Sequence, residues 1–161
     1  MRGFLTNRAK MQPAGRGFTL LEMIAAMTIM MLLTTIALPV ATVVVRRQKE
    51  LELRRDLRTM RNAIDRYKDF SDRGMIPVDL DTFGYPPTLE TLVKGVPLKG
   101  SKVRYKFLRK IPVDPMTGDT DWALRSMQDS PDSGSWGGQD VFDVYSKSQG
   151  TGMNGVPYAD W

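Results

Sequence analysis

From Phe18 to Val45 the chain is apolar almost without interruption: of 28 residues, 21 are apolar, five are Thr, and the others are Glu22 and Pro39. Met23 to Val45 carries no charge over 23 residues. At about 1.5 Å per residue that is roughly 35 Å of helix, enough to cross a hydrocarbon core of about 30 Å. The run predicts a transmembrane helix, since the buried helix of a soluble core is rarely so long and so uniformly apolar. Beyond Val45 Leu53, Leu57, Met60, Ile64 and Tyr67 recur at spacings of four, three, four and three, and Arg54, Arg55, Arg58, Arg61, Asn62 and Arg66 fill the other faces. That is an amphipathic helix whose stripe faces a core; with only about two heptads it is a poor coiled-coil seam.

No Gly interrupts the chain between Phe18 and Arg73, and Gly74 followed by Pro77 supplies a stop. Pro39 is expected to kink the helix and remove one backbone donor without ending it. The prediction is one helix of about 53 residues, spanning a membrane over 18–45 and lying on a small domain over 46–73. In the remaining 74–161, "YPPTLETLVKG" predicts a turn, a Thr88 cap, one or two helical turns through Val93 and a Gly95 stop. "KVRYKFL", "DWALRS" and "DVFDVYS" predict short strands, with "IPVDPMTGD" and "MQDSPDSGSWGG" as connectors. The fold class is therefore α+β, with a long helix covering one face of a small antiparallel sheet.

Charge alters this picture little. The formal net charge is +5, but Arg2, Arg8, Lys10 and Arg16 precede Phe18 with no acid among them, so losing 1–17 would leave 19 basic against 18 acidic groups. Along 46–73 the basic residues are interleaved with Glu50, Glu52, Asp56, Asp65 and Asp69, and Glu50 stands four before Arg54 in the favourable order for a pair. A solvated helix face is expected, and no nucleic-acid partner. The chain has no Cys and no His, which excludes Ser-His-Asp and Cys-His catalysis, disulfides and most zinc or haem sites. The Asp residues sit in turns, where Asp is common. No catalytic residue is assigned. "GTGMNG" at Gly150–Gly155 matches the dinucleotide pattern G-x-G-x-x-G, but that motif must open a helix, and only six residues follow it, Pro157 among them.

The boundary at Gly17 carries the most specific signal. A hydrophilic leader, 1–17, ends in Gly17, and Phe18, Thr19, Leu20, Leu21 and Glu22 open the apolar run, whereas a secretory signal places its apolar core before the cleavage site. This arrangement resembles the prepilin leader of type IV pilins and the pseudopilins of type II secretion. The pieces "YPPTLETLV", "FLRKIPVDPMTG", "VFDVYS" and "ADW" are similar to the major, G-type pseudopilin. The resemblance implies a pilin-like fold, cleavage by a prepilin peptidase between Gly17 and Phe18, and N-methylation of Phe18. It also implies assembly in which Glu22 of one subunit pairs with the Phe18 amine of its neighbour, and a helix kink at Pro39.

Implied further are a homopolymer, minor pseudopilins and an inner-membrane assembly platform as partners. The subunit would be held in the inner membrane lipid bilayer by a single pass, with its carboxy-terminal domain and the assembled pseudopilus in the periplasm. Charge counting opposes that orientation, because Arg46, Arg47, Lys49, Arg54, Arg55 and Arg58 follow the span. Members of the G-type family commonly hold calcium in the last loop. Here that loop offers Asp160, Asn154 and main-chain carbonyls, few ligands for a cation wanting six to eight oxygens. Two options stand: calcium bound with Asp160 as its one charged ligand, or a loop over 150–158 held without a cofactor by packing and main-chain hydrogen bonds. The alternative functions are a type IV pilin of a surface fibre, serving adhesion, motility or DNA uptake, and a single-pass membrane-anchored enzyme or binding module.

The charge of Glu22 is what a simple anchor does not explain. An ionisable group in a transmembrane segment costs about 2.5–3.5 kcal/mol at the helix centre and less near the interface, so a partner is expected. At the first turn the helix dipole also favours a carboxylate. Ala25, Ala26, Ala37 and Ala41 are small enough for close approach of neighbouring helices.

Overall fold

The computed structural model describes residues 17–100, 103–131 and 133–161; the leader expected over 1–17 lies outside them except for Gly17. The first helix, α1, runs Leu20–Asp72, 53 residues with Pro39 inside it. It ends where Gly74 adopts φ +66° and its N–H bonds the Ser71 carbonyl at 2.8 Å. Two compact units divide the chain, one ending at Thr42 and the other running from Val43 to Trp161.

In the second unit the apolar stripe is the core. Leu53, Leu57, Met60, Ile64 and Tyr67 are all buried, and they join Ile76, Leu92, Phe107, Trp122, Val141 and Val144 in one cluster. Tyr67, Phe70, Tyr105 and Phe107 form an aromatic knot at the helix end, with ring centroids 4.8 Å apart for Phe70–Tyr105 and 5.2 Å for Tyr67–Phe107.

A 3₁₀ turn at Leu80–Thr82 follows. Then comes α2, Leu89–Lys94, capped as predicted: the Thr88 hydroxyl accepts from the Thr91 N–H, and Gly95 closes it at φ 78°. Gly95 has a second reason to be glycine, because a Cβ there would lie 2.5 Å from the Tyr105 carbonyl oxygen. That contact exists because the chain turns straight into β1, Val96–Pro97, paired antiparallel with β2, Arg104–Tyr105. Farther on, β3, Ala123–Arg125, pairs antiparallel with β4, Asp143–Tyr145, with Leu124 opposite Val144.

The expected single sheet is thus two separate two-stranded sheets; β2, β3 and β4 are shorter than the segments that predicted them, and β1 was not expected. Between β2 and β3 runs a connector pinned by a few polar bonds. The wholly buried Asp114 accepts from Met116 N–H at 2.8 Å and from the Ser146 hydroxyl at 2.5 Å, and the Trp122 indole donates to the Pro112 carbonyl. A second 3₁₀ turn, Tyr158–Asp160, precedes Trp161.

Candidate functional site: the amino-terminal helix end and the carboxy-terminal loop

At the start of α1, Gly17, Phe18 and Thr19 precede the first helical residue, and the Phe18 side chain is 80% exposed. Thr19 and Glu22 bond each other reciprocally. The Glu22 N–H donates to the Thr19 hydroxyl at 3.2 Å, and the Thr19 N–H points to a Glu22 carboxylate oxygen at 3.4 Å. This is a capping box, which satisfies two of the four orphan donors at a helix start. The sequence carries its signature, T-x-x-E, beside the expectations of an amine partner and of a favourable helix dipole for Glu22. The structure brings Glu22 to Thr19; the Phe18 nitrogen is a peptide nitrogen in the uncut chain and takes no part.

Beyond the cap, the run is uncovered. Leu20, Leu21, Met27, Met30, Met31 and Leu32 are each more than 60% exposed, and helix α1 is long and apolar enough to cross a membrane. Its polar groups are already satisfied: Thr28, Thr34, Thr35 and Thr42 donate to the carbonyls of Ala25, Met30, Met31 and Pro39 at 2.8–2.9 Å. Hydroxyls so paired cost little in lipid. Such an amino-terminal helix suggests membrane anchoring.

The loop over 150–158 has a scaffold that sequence reasoning missed. Glu50, 8% exposed, accepts from the Met153 N–H at 2.9 Å and from the Tyr158 hydroxyl at 3.0 Å. Arg46, one helical turn earlier, pairs with Glu50 at 3.4 Å and donates to the Thr151 carbonyl and to the Tyr158 hydroxyl. Glu50 therefore pairs with the residue four before it, and the expected Glu50–Arg54 pair does not form. The loop closes on itself through Gly152 N–H to the Val156 carbonyl, 2.8 Å, and Tyr158 N–H to the Gly150 carbonyl, 3.0 Å. At Gly152 any Cβ would lie 2.3 Å from the Trp161 ring, so glycine lets the ring seat against the backbone.

These residues do not fit calcium. Among the described residues no three His, Cys, Asp or Glu side chains gather as a metal site. Asp160 is exposed, and the Asn154 side-chain oxygen already accepts from the Val156 N–H at 3.2 Å. Packing and main-chain bonds are not alone in holding the loop: a carboxylate and a guanidinium from α1 bond it as well.

A second clamp fixes the end of the chain. Arg61 forks onto Asp143 at 2.6 and 3.2 Å and donates to the main-chain oxygens of Val144 and Trp161. The Arg54 guanidinium lies 4.2 Å from the centre of the Trp161 ring, a cation–π contact.

Residues 14–38 match the family described as the prokaryotic N-terminal methylation motif. The match covers the leader boundary, the capping box and the apolar run as far as Leu38, and so gives the class: a protein with a prepilin-type amino terminus. Such a terminus supports a type IV pilin-like protein, structural rather than enzymatic, processed by a prepilin peptidase and polymerised into filaments. No curated protein and no solved structure significantly matches the chain.

Proposed function

We propose that the chain is the structural subunit of a type II secretion pseudopilus, held in the inner membrane with its carboxy-terminal domain in the periplasm. It polymerises through the apolar helix to drive protein export. The observation that carries this reading is the methylation motif at 14–38 placed at the start of a helix whose first apolar residues, Leu20 to Leu33, are exposed. A lone anchor needs no such motif, and a polymer of identical helices needs both a uniform apolar surface and a device that fixes register.

Cleavage between Gly17 and Phe18 frees an amine at Phe18, whose methylation keeps its positive charge. In the uncut chain Glu22 caps its own helix; after the cut it answers the Phe18 amine of a neighbouring subunit. Desolvation offsets much of the Coulomb gain, so the pair specifies axial offset more than it adds affinity. Pro39, lacking an N–H, leaves the Thr35 carbonyl without its helical donor and locates the kink. Minor pseudopilins and an assembly platform would start and feed the polymer.

Mass spectrometry of the mature protein tests the first step: the expected amino terminus is N-methylated Phe18, and an intact 1–17 in cells with an active prepilin peptidase overturns the reading. Glu22→Ala is expected to insert into the membrane normally and to yield no filament. An unchanged filament yield would defeat the role given to Glu22. Co-production with a type II secretion apparatus separates this function from a surface fibre, since only a pseudopilin restores export to cells lacking their own major subunit.

A further inference from the structure

The loop over 150–158 has an inner and an outer side. Gly152 and Tyr158 are buried, whereas Met153, Val156 and Pro157 are exposed. From Ser148 to Ala159 the chain carries no charge. Main-chain donors of the loop are spent as well. The N–H groups of Gly152, Gly155 and Tyr158 bond the carbonyls of Val156, Gly152 and Gly150, that of Val156 bonds the Asn154 side chain, and that of Met153 bonds Glu50. An uncharged loop with apolar side chains outward and these amides already paired loses little on leaving water.

Its anchors set its level along α1. The Thr151 carbonyl accepts from Arg46 and the Met153 N–H donates to Glu50, so the loop is strapped to the turn that follows Val43, Val44 and Val45, the exposed last residues of the apolar run. From Val45 to Glu50 the helix rises about 7.5 Å, and the polar layer outside the hydrocarbon is about 5–7 Å thick on each side of a bilayer. A helix whose apolar run fills the hydrocarbon therefore holds this loop among the headgroups. Arg47 and Lys49 stand on the same turn, roughly a quarter-turn to either side of the face formed by Arg46 and Glu50. Among the described residues neither makes a hydrogen bond or ion pair within the chain. Glu50 is buried and already shared by Arg46, Met153 and Tyr158. The exposed acids lie farther from the run: Glu52 beyond Lys49, and Asp160 in a cleft with Arg54, Arg58 and Arg61. From Arg46 to Arg58 six bases stand against three acids, so the charge of this end is positive.

We propose that the loop over 151–157 is a foot that seats on the phospholipid surface, with Met153, Val156 and Pro157 entering the boundary between headgroups and acyl chains and Arg47 and Lys49 taking the phosphates of anionic lipids. Each cation held near an anionic surface raises the bound fraction about fivefold. Arg46 and Glu50 keep the loop in shape, and lipid is its partner in the subunit that has not yet assembled. The inference rests on the reading of the apolar run as a membrane span and adds to it a second, reversible contact made by the carboxy-terminal domain.

The chain has no Cys, so a single introduced thiol reports its own surroundings. Met153→Cys in the full chain, labelled with bimane, is reconstituted at low density in vesicles of phosphatidylcholine with and without phosphatidylglycerol. Val78→Cys, exposed beyond the far end of α1, is the control. A lipid with a nitroxide on its headgroup should quench the probe at position 153 about fivefold more than the probe at position 78, and more strongly where phosphatidylglycerol is present. Arg47→Glu with Lys49→Glu should cut that quenching about threefold or more, while Arg47→Lys with Lys49→Arg leaves it unchanged. Equal quenching at the two positions, indifference to phosphatidylglycerol or to the charge reversal, or quenching that appears only when copies are crowded overturns the contact, the last by making a second copy the partner. Flotation separates the two ideas. A chain that floats with the vesicles but leaves the probe at position 153 open to iodide overturns the foot alone, whereas a chain that does not float overturns the membrane reading with it.

Discussion

The helix Leu20–Asp72 is divided between two units that use apolar residues in opposite ways. In the unit that ends at Thr42 the large apolar side chains of the described residues are exposed, from Met23 at 47% to Leu20 at 80%, and the threonines satisfy themselves three or four residues back. In the unit that begins at Val43, Leu53, Met60 and Ile64 are wholly buried, and polar side chains reach far along the chain, Arg61 to Asp143 and Glu50 to Tyr158. An apolar residue in the first is surface awaiting lipid or another copy; in the second it is core. Polar residues differ in the same way, since a group that must enter lipid has to be satisfied locally, while one facing water can organise distant loops.

The largest test of that contrast is truncation. Ile64→Ala should cost about 3–4 kcal/mol of unfolding free energy in detergent, the range for a buried aliphatic side chain. Met30→Ala should leave unfolding unchanged. Equal losses at the two positions would show that the apolar run is packed within the single chain.

Next in size is Glu50→Ala, which strips the Met153 N–H and the Tyr158 hydroxyl of their acceptor and should cost about 1–3 kcal/mol. Hydrogen exchange at Met153 should quicken, and Glu50→Gln, which keeps one acceptor oxygen, should lose less. A chelator of divalent cations is expected to change neither quantity. Loosening by the chelator, with Glu50→Ala inert, would return the loop to a metal. A smaller effect belongs to the first unit: Thr19→Ala should fray the start of α1, costing about 0.5–2 kcal/mol of helix stability, read as faster exchange at Leu21 and Glu22 without a change in the unfolding of the second unit.

These differences follow what a sequence can and cannot display. The stripe from Leu53 to Tyr67 was legible because five positions keep one period over four turns, and the Thr88 cap and Gly95 stop because their chemistry is local. Two- and three-residue strands such as Val96–Pro97 and Arg104–Tyr105 are too short to show alternation, so one sheet was expected where two form. The Glu50 scaffold joins residues about a hundred apart, and its nearest sequence clue, Arg54 four residues on, pointed to the wrong partner. Burial decided the matter: Glu50 sits at the edge of the core beside Tyr158, while Arg54 is drawn to the Trp161 ring. At the helix start the T-x-x-E signal is local and complete in the sequence, and the capping it predicts is the contact that forms.

The subtlest contrast lies within the second unit, between two carboxylates of one loop. Asp140 is wholly buried; one oxygen accepts from the Met127 N–H at 3.0 Å and the other has no partner. Burial pushes its pKa up, with the nearby Asp129 adding to the effect. Asp129 accepts from the Ser126 and Gly137 N–H groups at 2.8 and 3.0 Å, and these bonds hold its pKa down. The signs are therefore opposed. For Asp140, with its folded pKa above the unfolded one, the favourable contribution is full below the unfolded value, about 4, and is lost as pH rises through the folded value. For Asp129 the contribution is present above the unfolded value and is lost as pH falls through the folded one. At neutral pH Asp140→Asn should raise the melting temperature, because a neutral amide is less costly than an unpaired buried charge, and Asp129→Asn should lower it. Both differences should shrink on acidification, as the natural chain protonates at the same positions. If Asp140→Asn lowered the melting temperature at neutral pH, the unpartnered oxygen would have to be answered by a donor, and the loop's register would be set by charge on both acids instead of one.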